Sequence, residues 1–112
     1  MKQIKFHKPN ISKKEISSVV KVVKSGWLTT GQKVKEFEKD FTTIFKKKVY
    51  CSAINSCTSG LFLALKACGV KKGDEVITSN LTFTSTISSI YHCGAKPVIV
   101  DVDPENLNLC LD

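Results

Sequence analysis

After residue 48, short apolar runs alternate with segments of helical composition, and this alternation constrains the fold more than any other feature. The apolar runs over 49–54, 75–78 and 97–102 predict three strands, and the segments 58–68 and 84–93, each followed by a glycine, predict two helices. A β-α-β-α-β order with short connections implies a parallel sheet with right-handed crossovers. The sequence therefore predicts an α/β fold.

Two predicted helices precede this region. Ser12, with Glu15 three residues later, forms a capping box that starts the first helix, and Gly26 ends it. The apolar stripe of the second helix consists of Val34, Phe37, Phe41, Ile44 and Phe45. Lysines at positions 46–48 follow the stripe, where cations suit the helix dipole. We expect residues 1–48 to be a helical lead-in to the β-α-β-α-β part, 49–112.

The last predicted strand constrains the size of the folded unit. Parallel sheets are covered by helices on both faces, and the sequence ends soon after the third strand without a further helix. The helix over 58–68 is apolar nearly all round, so we expect it to be buried on more than one side. These observations predict that the 112 residues are the opening portion of a larger α/β enzyme.

Composition and charge disfavour several classes of protein. With 42% hydrophobic and 24% charged residues, the chain is neither a disordered tail nor a coiled coil, and it has no apolar stretch long enough for a membrane helix. Its five cysteines form no CxxC pair, and its start lacks an apolar signal segment, which predicts reduced thiols in a cytoplasmic protein without a metal site. The net charge of +7 comes from lysines spread over helix faces and from no arginine, so nucleic-acid binding is not expected.

Two turns between a strand and a helix are candidate ligand sites, because ligands of open α/β sheets bind at the carboxyl ends of strands. In the first turn, the N–H groups that open the helix and the hydroxyls of Thr58 and Ser59 suit a phosphate, although N-capping by Ser56 explains the pattern equally well. In the second turn, Phe83 would lie at the same edge and could stack on a planar ligand. The pattern by itself favours a core aromatic or a hydrophobic staple at Phe83.

A third candidate is the loop 26–31, which holds the only tryptophan, Trp27, between two glycines. Such loops contact ligands or partners, but a tryptophan that packs under its own helix is equally compatible with the pattern. No GxGxxG or P-loop signature accompanies these segments, and His92, near a predicted helix C-terminus, suits a structural role.

Taken together, these segments resemble the DegT/DnrJ/EryC1/StrS family, the pyridoxal 5′-phosphate (PLP) dependent sugar aminotransferases of fold type I. The motifs that carry the resemblance are Ser25–Gly31, Asn55–Leu61, Gly73–Ile77, Leu81–Phe83, and Gly94–Val98 with Val100–Asp103. They occur in the family's order and spacing over essentially the whole chain, from about Phe6. One departure is Cys57, where many relatives carry glycine.

The resemblance implies the start of the large domain of a fold type I transferase and a role for each candidate residue. Thr58 and Ser59 would bind the cofactor phosphate, and Phe83 would stack on the pyridine ring. Gly26, Trp27, Leu28 and Thr29, with the aromatic Phe6, would lie beside a nucleotide-linked keto sugar, often across a homodimer interface. An amino acid, typically glutamate, would donate the amino group, in polysaccharide or cell-surface sugar biosynthesis.

The resemblance also implies what these residues lack. In the family, the Schiff-base lysine lies beyond the position that corresponds to Asp112, so no catalytic residue is expected within the chain. The alternative to part of an aminotransferase is a non-catalytic truncated remnant or one piece of a split enzyme.

Overall fold

The computed structural model describes residues 4, 6–45 and 48–110, and within them six elements of regular structure are formed. The chain divides into two units, Met1–Ala53 and Ile54–Asp112. The first unit contains the helices α1 (Lys13–Ser25) and α2 (Gln32–Thr42). The second contains α3 (Cys57–Ala67), β1 (Glu75–Ser79), α4 (Thr84–His92) and β2 (Lys96–Val100). None of the described helices is long and apolar enough to cross a membrane.

Helix α1 begins and ends where its sequence predicts. The Ser12 hydroxyl accepts the N–H of Lys14 at 3.1 Å, and the Glu15 carboxylate accepts the N–H of Ser12 at 2.6 Å. Hydrogen bonds from the side chain and then from the backbone of Ser12 lower the pKa of Glu15 below its ordinary value. At the other end, Gly26 adopts a left-handed conformation with φ 72°. The predicted capping box and glycine stop are therefore confirmed.

Helix α2 is shorter than predicted. It ends at Thr42, and the hydroxyls of Thr42 and Thr43 donate to carbonyl oxygens three residues earlier, at 2.7 Å each. Such side-chain bonds compete with the helical ladder and favour its termination. Ile44 and Phe45, predicted in the helical stripe, therefore lie beyond the helix end. Of the three predicted closing lysines, those at 46 and 47 lie outside the described residues, and Lys48 is not helical.

The strand predicted over 49–54 is wrong, because residues 49–54 form no strand. An apolar run becomes a strand only when a neighbouring strand accepts and donates its backbone hydrogen bonds. Instead, the N–H of Ala53 donates to the Glu38 carboxylate at 2.8 Å, and the Tyr50 side chain is 88% exposed.

Strands β1 and β2 form the predicted parallel pair, in a register that places Ile77 beside Val98. Helix α4 connects the two strands and packs against both. The buried residues of the described chain are Thr78, Ser89, Ile90, Cys93 and Ala95. All five belong to β1, α4 or the turn that follows α4, so the core lies between this helix and the sheet. The α/β class is confirmed.

Helix α3 lies beside α4 and runs in the same direction. The Ser89 hydroxyl donates to the carbonyl oxygen of Thr58 at 3.4 Å. Four residues later, the Cys93 thiol lies 4.0 Å from the carbonyl oxygen of Phe62. The contacts advance by four residues on both helices, which requires a parallel arrangement. The expectation that α3 is buried on more than one side is wrong: it has no buried residue, and Leu63 is 51% exposed, because α4 alone covers it in the described second unit.

Candidate functional site

The N-terminus of α3 combines a cap with unsatisfied donors. Ser56 is the N-cap, and its hydroxyl accepts the N–H of Ser59 at 3.1 Å while donating to the Ser59 hydroxyl at 3.0 Å. The capping role that the pattern left open is therefore confirmed. It satisfies only one of the helix's initial N–H groups, and those of Cys57 and Thr58 have no acceptor among the described residues.

The electrostatics of this turn favour an anion. No acidic residue lies in the first turn of α3, so no carboxylate offsets the partial positive charge of the helix N-terminus. Thr58 is exposed, and its hydroxyl makes no hydrogen bond within the described part of the chain. Two backbone N–H groups and one hydroxyl are thus available to a single anionic ligand.

Phe83 occupies an unusual position at the start of α4. It is the N-cap residue and makes no side-chain cap, whereas this position ordinarily carries Ser, Thr, Asp or Asn. Its side chain is 78% exposed, so the core-aromatic interpretation that the pattern favoured is wrong. The first turn of α4 also lacks an acidic residue. A phenylalanine at the N-cap leaves the helix without the stabilising side-chain hydrogen bond of a cap. Proteins retain such locally unfavourable residues mainly at functional sites.

The pairing of α3 with α4 places their N-termini at the same end. Ser89 is level with Thr58, and Phe83 precedes Ser89 by six residues, or about 9 Å along the helix axis. Ser56 precedes Thr58 by about 3 Å on the same scale. Phe83 therefore extends roughly 6 Å further than the N-cap of α3 in the direction of the helix N-termini. This offset fits a ligand whose anionic group binds at the N-terminus of α3 and whose planar ring extends toward Phe83.

A groove of about 390 Å³ lies between α3 and α4 in the second unit, and Phe83 is not among its lining residues. It is lined by Thr58, Ser59, Phe62, Ser89 and His92. The groove brings the two predicted phosphate-binding residues together with His92, to which the sequence pattern gave a structural role. No pattern in the sequence indicated that His92 and Thr58 share a surface, because they belong to different helices.

The loop 26–31 of the first unit is held by its tryptophan. The Trp27 indole N–H donates to the carbonyl oxygen of Thr30 at 3.1 Å, and the ring lies so close to Gly31 that a side chain there would collide with it. The ring nevertheless remains 63% exposed. One side of the ring therefore packs on its own loop, and the remainder faces outward.

The other predicted substrate residues also lie in the first unit. Leu28 is exposed, and Thr29 lines a cavity of about 280 Å³ with Trp27 and Gly31. Phe6 is fully exposed, in the segment that precedes α1. The predicted cofactor residues Thr58, Ser59 and Phe83 all lie in the second unit.

The sequence pattern assigned no individual role to two residues that follow the strands. Asn80 follows β1 and Asp101 follows β2, and the Asn80 amide donates to the Asp101 carboxylate at 2.9 Å. Their position at the strand ends could have predicted that they lie close together, because the carboxyl ends of parallel strands meet at one edge of the sheet. The Ser89 hydroxyl, which was likewise assigned no role, gave no such signal, since it lies within a helix.

Comparison with known proteins identifies the family. A profile of the DegT/DnrJ/EryC1/StrS aminotransferase family matches residues 9–112. The chain belongs to this family. The resemblance noted in the sequence motifs is confirmed, and so is the fold class, because aminotransferases of fold type I are among the structural neighbours.

Individual relatives agree with this assignment. The spore coat polysaccharide biosynthesis protein SpsC of Bacillus subtilis is 52% identical over 101 residues, which cover 90% of this chain and 26% of SpsC. The putative sugar aminotransferase Spr1654 of Streptococcus pneumoniae, in its PMP-form, superposes with a TM-score of 0.83 at 39% identity, over 95% of this chain and 26% of Spr1654. Its PLP-form gives 0.80 at 41% identity, over 95% and 27%. The chain thus spans about a quarter of the length of these relatives.

Proposed function

We propose that this chain supplies the phosphate-binding turn and the ring-stacking aromatic of a PLP-dependent sugar aminotransferase. The observation that carries the proposal is the N-terminus of α3, where two N–H groups and the Thr58 hydroxyl lack partners among the described residues and no carboxylate opposes an anion. Family membership and the PLP-form of a structural neighbour support the same cofactor. On this proposal, the chain is the N-terminal part of the large domain, with residues 1–48 as its helical lead-in.

The residues of the second unit fit PLP. The phosphate, a dianion near neutral pH, would accept hydrogen bonds from the N–H groups of Cys57 and Thr58 and from the hydroxyls of Thr58 and Ser59. The exposed ring of Phe83 would cover one face of the pyridine. When bound, PLP supplies an electron sink for amino transfer.

Within this proposal, the chain's own residues bind and orient rather than react. The α3 N-terminus holds the phosphate end through backbone groups that the helix keeps in a fixed direction. Phe83 limits the tilt of the ring and shields one of its faces from water. The small Ser56 and Ser59 side chains bond to each other and leave the approach to the first turn open.

The first unit would contact the substrate. An exposed indole at Trp27 and a fully exposed phenyl ring at Phe6 suit the flat base of a nucleotide, and the Thr29 hydroxyl suits a sugar or phosphate oxygen. We propose that the substrate is a nucleotide-linked keto sugar, that glutamate donates the amino group, and that the reaction serves polysaccharide biosynthesis in the cytoplasm. SpsC, a spore coat polysaccharide biosynthesis protein, supports that assignment. A homodimer is proposed from the same family resemblance.

Two measurements on the complete protein that carries this sequence test the proposal. The first is calorimetric titration with pyridoxine 5′-phosphate, which has the ring and phosphate of PLP but no aldehyde to react with lysines. Unphosphorylated pyridoxine is the matched control, and we expect it to bind at least tenfold more weakly, because it cannot use the α3 N-terminus. Equal affinities for the two compounds would overturn the assignment of the phosphate site.

The second measurement follows the substrate loop by tryptophan fluorescence. Trp27 is the only tryptophan of these 112 residues, and subtracting the signal of a Trp27→Phe variant isolates its emission. We expect UDP-, GDP- or dTDP-linked sugars to change this emission, and glutamate to convert the matching keto sugar nucleotide to its amine. Unchanged emission with every sugar nucleotide at millimolar concentration would contradict the substrate assignment and leave the phosphate-site test unaffected.

A further inference from the structure

A side-chain hydrogen bond joins Asn80 and Asp101, the residues that directly follow the C-terminal ends of β1 and β2. The backbone N–H of Asn80 donates to the carbonyl oxygen of Val100 at 2.9 Å and extends the parallel ladder by one residue. The side-chain amide of Asn80 then donates to the Asp101 carboxylate, also at 2.9 Å. Asn80 is thus held by both its backbone and its side chain to the residues that end β2.

The Asp101 carboxylate is suited to this task. The oxygen that accepts the Asn80 amide also accepts the N–H of Val102 at 2.8 Å, which orients the carboxylate against its own backbone. These two hydrogen bonds, the one from Val102 being the stronger influence, hold the pKa of Asp101 below its ordinary value. The acceptor is therefore charged near neutral pH, and hydrogen bonds to charged groups are stronger than neutral ones.

Asn80 begins the segment 80–83, which leads to Phe83. The Ser79 hydroxyl donates to the Leu81 carbonyl oxygen at 3.1 Å, and the Thr82 and Thr86 hydroxyls bond to each other at 2.8 Å. These contacts tie the segment at its beginning and its end. The Phe83 ring itself is 78% exposed, so its position depends on the backbone that carries it.

We propose that Asp101 is a positioning residue for the cofactor ring: through Asn80 it holds the segment 80–83 and thereby the place of the Phe83 ring. This inference rests on the proposed function. On this inference, Asp101 acts on the ring without contacting the cofactor itself. Its contribution reaches the ring by way of one hydrogen bond and four residues of backbone.

The test measures pyridoxine 5′-phosphate affinity in the complete protein. Asp101→Ala removes the acceptor, and we expect the affinity to fall about three- to tenfold, the usual worth of one hydrogen bond. Asp101→Asn retains an amide oxygen that can accept the same N–H, so it should restore most of the affinity. Asn80→Ala removes the other partner and should match Asp101→Ala, which supplies a second variant should one of them unfold.

The control is Asp103→Ala. Asp103 carries a nearby carboxylate, and it accepts the N–H groups of Glu105 and Asn106 in the following turn rather than a donor of the segment 80–83. We expect the Asp103→Ala variant to bind pyridoxine 5′-phosphate with the affinity of the parent. Thermal unfolding of every variant distinguishes a local loss of ring position from a general loss of structure.

A double-mutant cycle separates positioning through Phe83 from any other role. If Asp101 acts through the ring, Asp101→Ala should not lower the affinity for pyridoxine 5′-phosphate any further in a protein that already carries Phe83→Ala. An equal loss in both backgrounds would overturn the inference, and so would parent-like affinity of both Asp101→Ala and Asn80→Ala. If Phe83→Ala alone binds as tightly as the parent, the proposed ring contact fails, and this inference fails with it.

Discussion

The fully buried hydroxyl of Ser89 in α4 donates to the backbone carbonyl oxygen of Thr58 in α3, 3.4 Å away. A serine at this point lets the two helices approach closely, because its side chain is small. The contact sets Thr58 level with Ser89 and places both helix N-termini at one end. The phosphate-binding and ring-stacking residues of the proposed site share this end for that reason.

Thr58→Ala is expected to weaken the binding of PLP. The substitution removes one hydroxyl donor to a charged phosphate, worth about 1.5–3 kcal/mol, or roughly ten- to a hundredfold in affinity. Part of the affinity should remain, since the backbone N–H groups of Cys57 and Thr58 are unchanged. Equilibrium titration of the complete protein measures the effect. Thr43→Ala, which removes a threonine hydroxyl that bonds a carbonyl oxygen at the end of α2, is the control and should bind like the parent.

Phe83→Ala is expected to lower cofactor affinity by about 0.5–1.5 kcal/mol, or roughly two- to tenfold, because the stacking surface is lost. Since Phe83 is exposed, the free energy of unfolding should change little. Phe83→Trp should bind like the parent, because another large ring serves. Leu81→Ala truncates an exposed apolar side chain in the same segment and serves as the control. Tight binding by Phe83→Ala would place the ring contact elsewhere.

Acid should weaken α1 through Glu15. Its hydrogen bonds with Ser12 lower its pKa in the folded chain below the ordinary 4.5, so the carboxylate favours folding above that pH. The contribution is lost as the pH falls through the lowered value. Far-UV circular dichroism of the parent and of Glu15→Gln tests this, because glutamine can still accept the Ser12 N–H without titrating. We expect a smaller acid-induced loss of helix in the variant, and identical curves would contradict the assignment.

Reaction of a 112-residue polypeptide of this sequence with PLP and borohydride should label no single lysine. Every described lysine is exposed, and the hydrogen bond to Glu75 raises the pKa of Lys96, which makes that amine less reactive. We expect weak labelling spread over several lysines. Peptide mapping by mass spectrometry checks this, and stoichiometric labelling of one lysine would contradict it.

The same polypeptide should unfold without a sharp cooperative transition. Its described core consists of a few residues around α4, and the apolar side chain of Ile77 in the sheet remains 63% exposed. Exposed apolar surface of this kind favours association over a unique folded state. A denaturant titration with parallel sedimentation measures both properties. A steep transition from a monomer would show that the small core suffices.

Features whose partners lie within a few residues of each other could be read from the sequence. The capping box of α1 joins Ser12 to Glu15, and the cap of α3 joins Ser56 to Ser59, so neighbouring residues determine both helix starts. The parallel pair β1–β2 follows from the strand-helix-strand order, because a short chain offers few other ways to connect the strands. The candidate residues at the α3 N-terminus were predictable for the same local reason.

Features that depend on a distant partner were decided only by the tertiary structure. The run 49–54 has the composition of a strand, but a strand needs a neighbour's hydrogen bonds, and the N–H of Ala53 bonds to Glu38 instead. Asn80 and Asp101 are 21 residues apart, and Ser89 and Thr58 are 31 apart. By itself, the sequence determined the residues that cap α1 and α3. Which side chains face each other across elements was settled by packing, because pairing at such separations depends on the whole arrangement of the sheet and its helices.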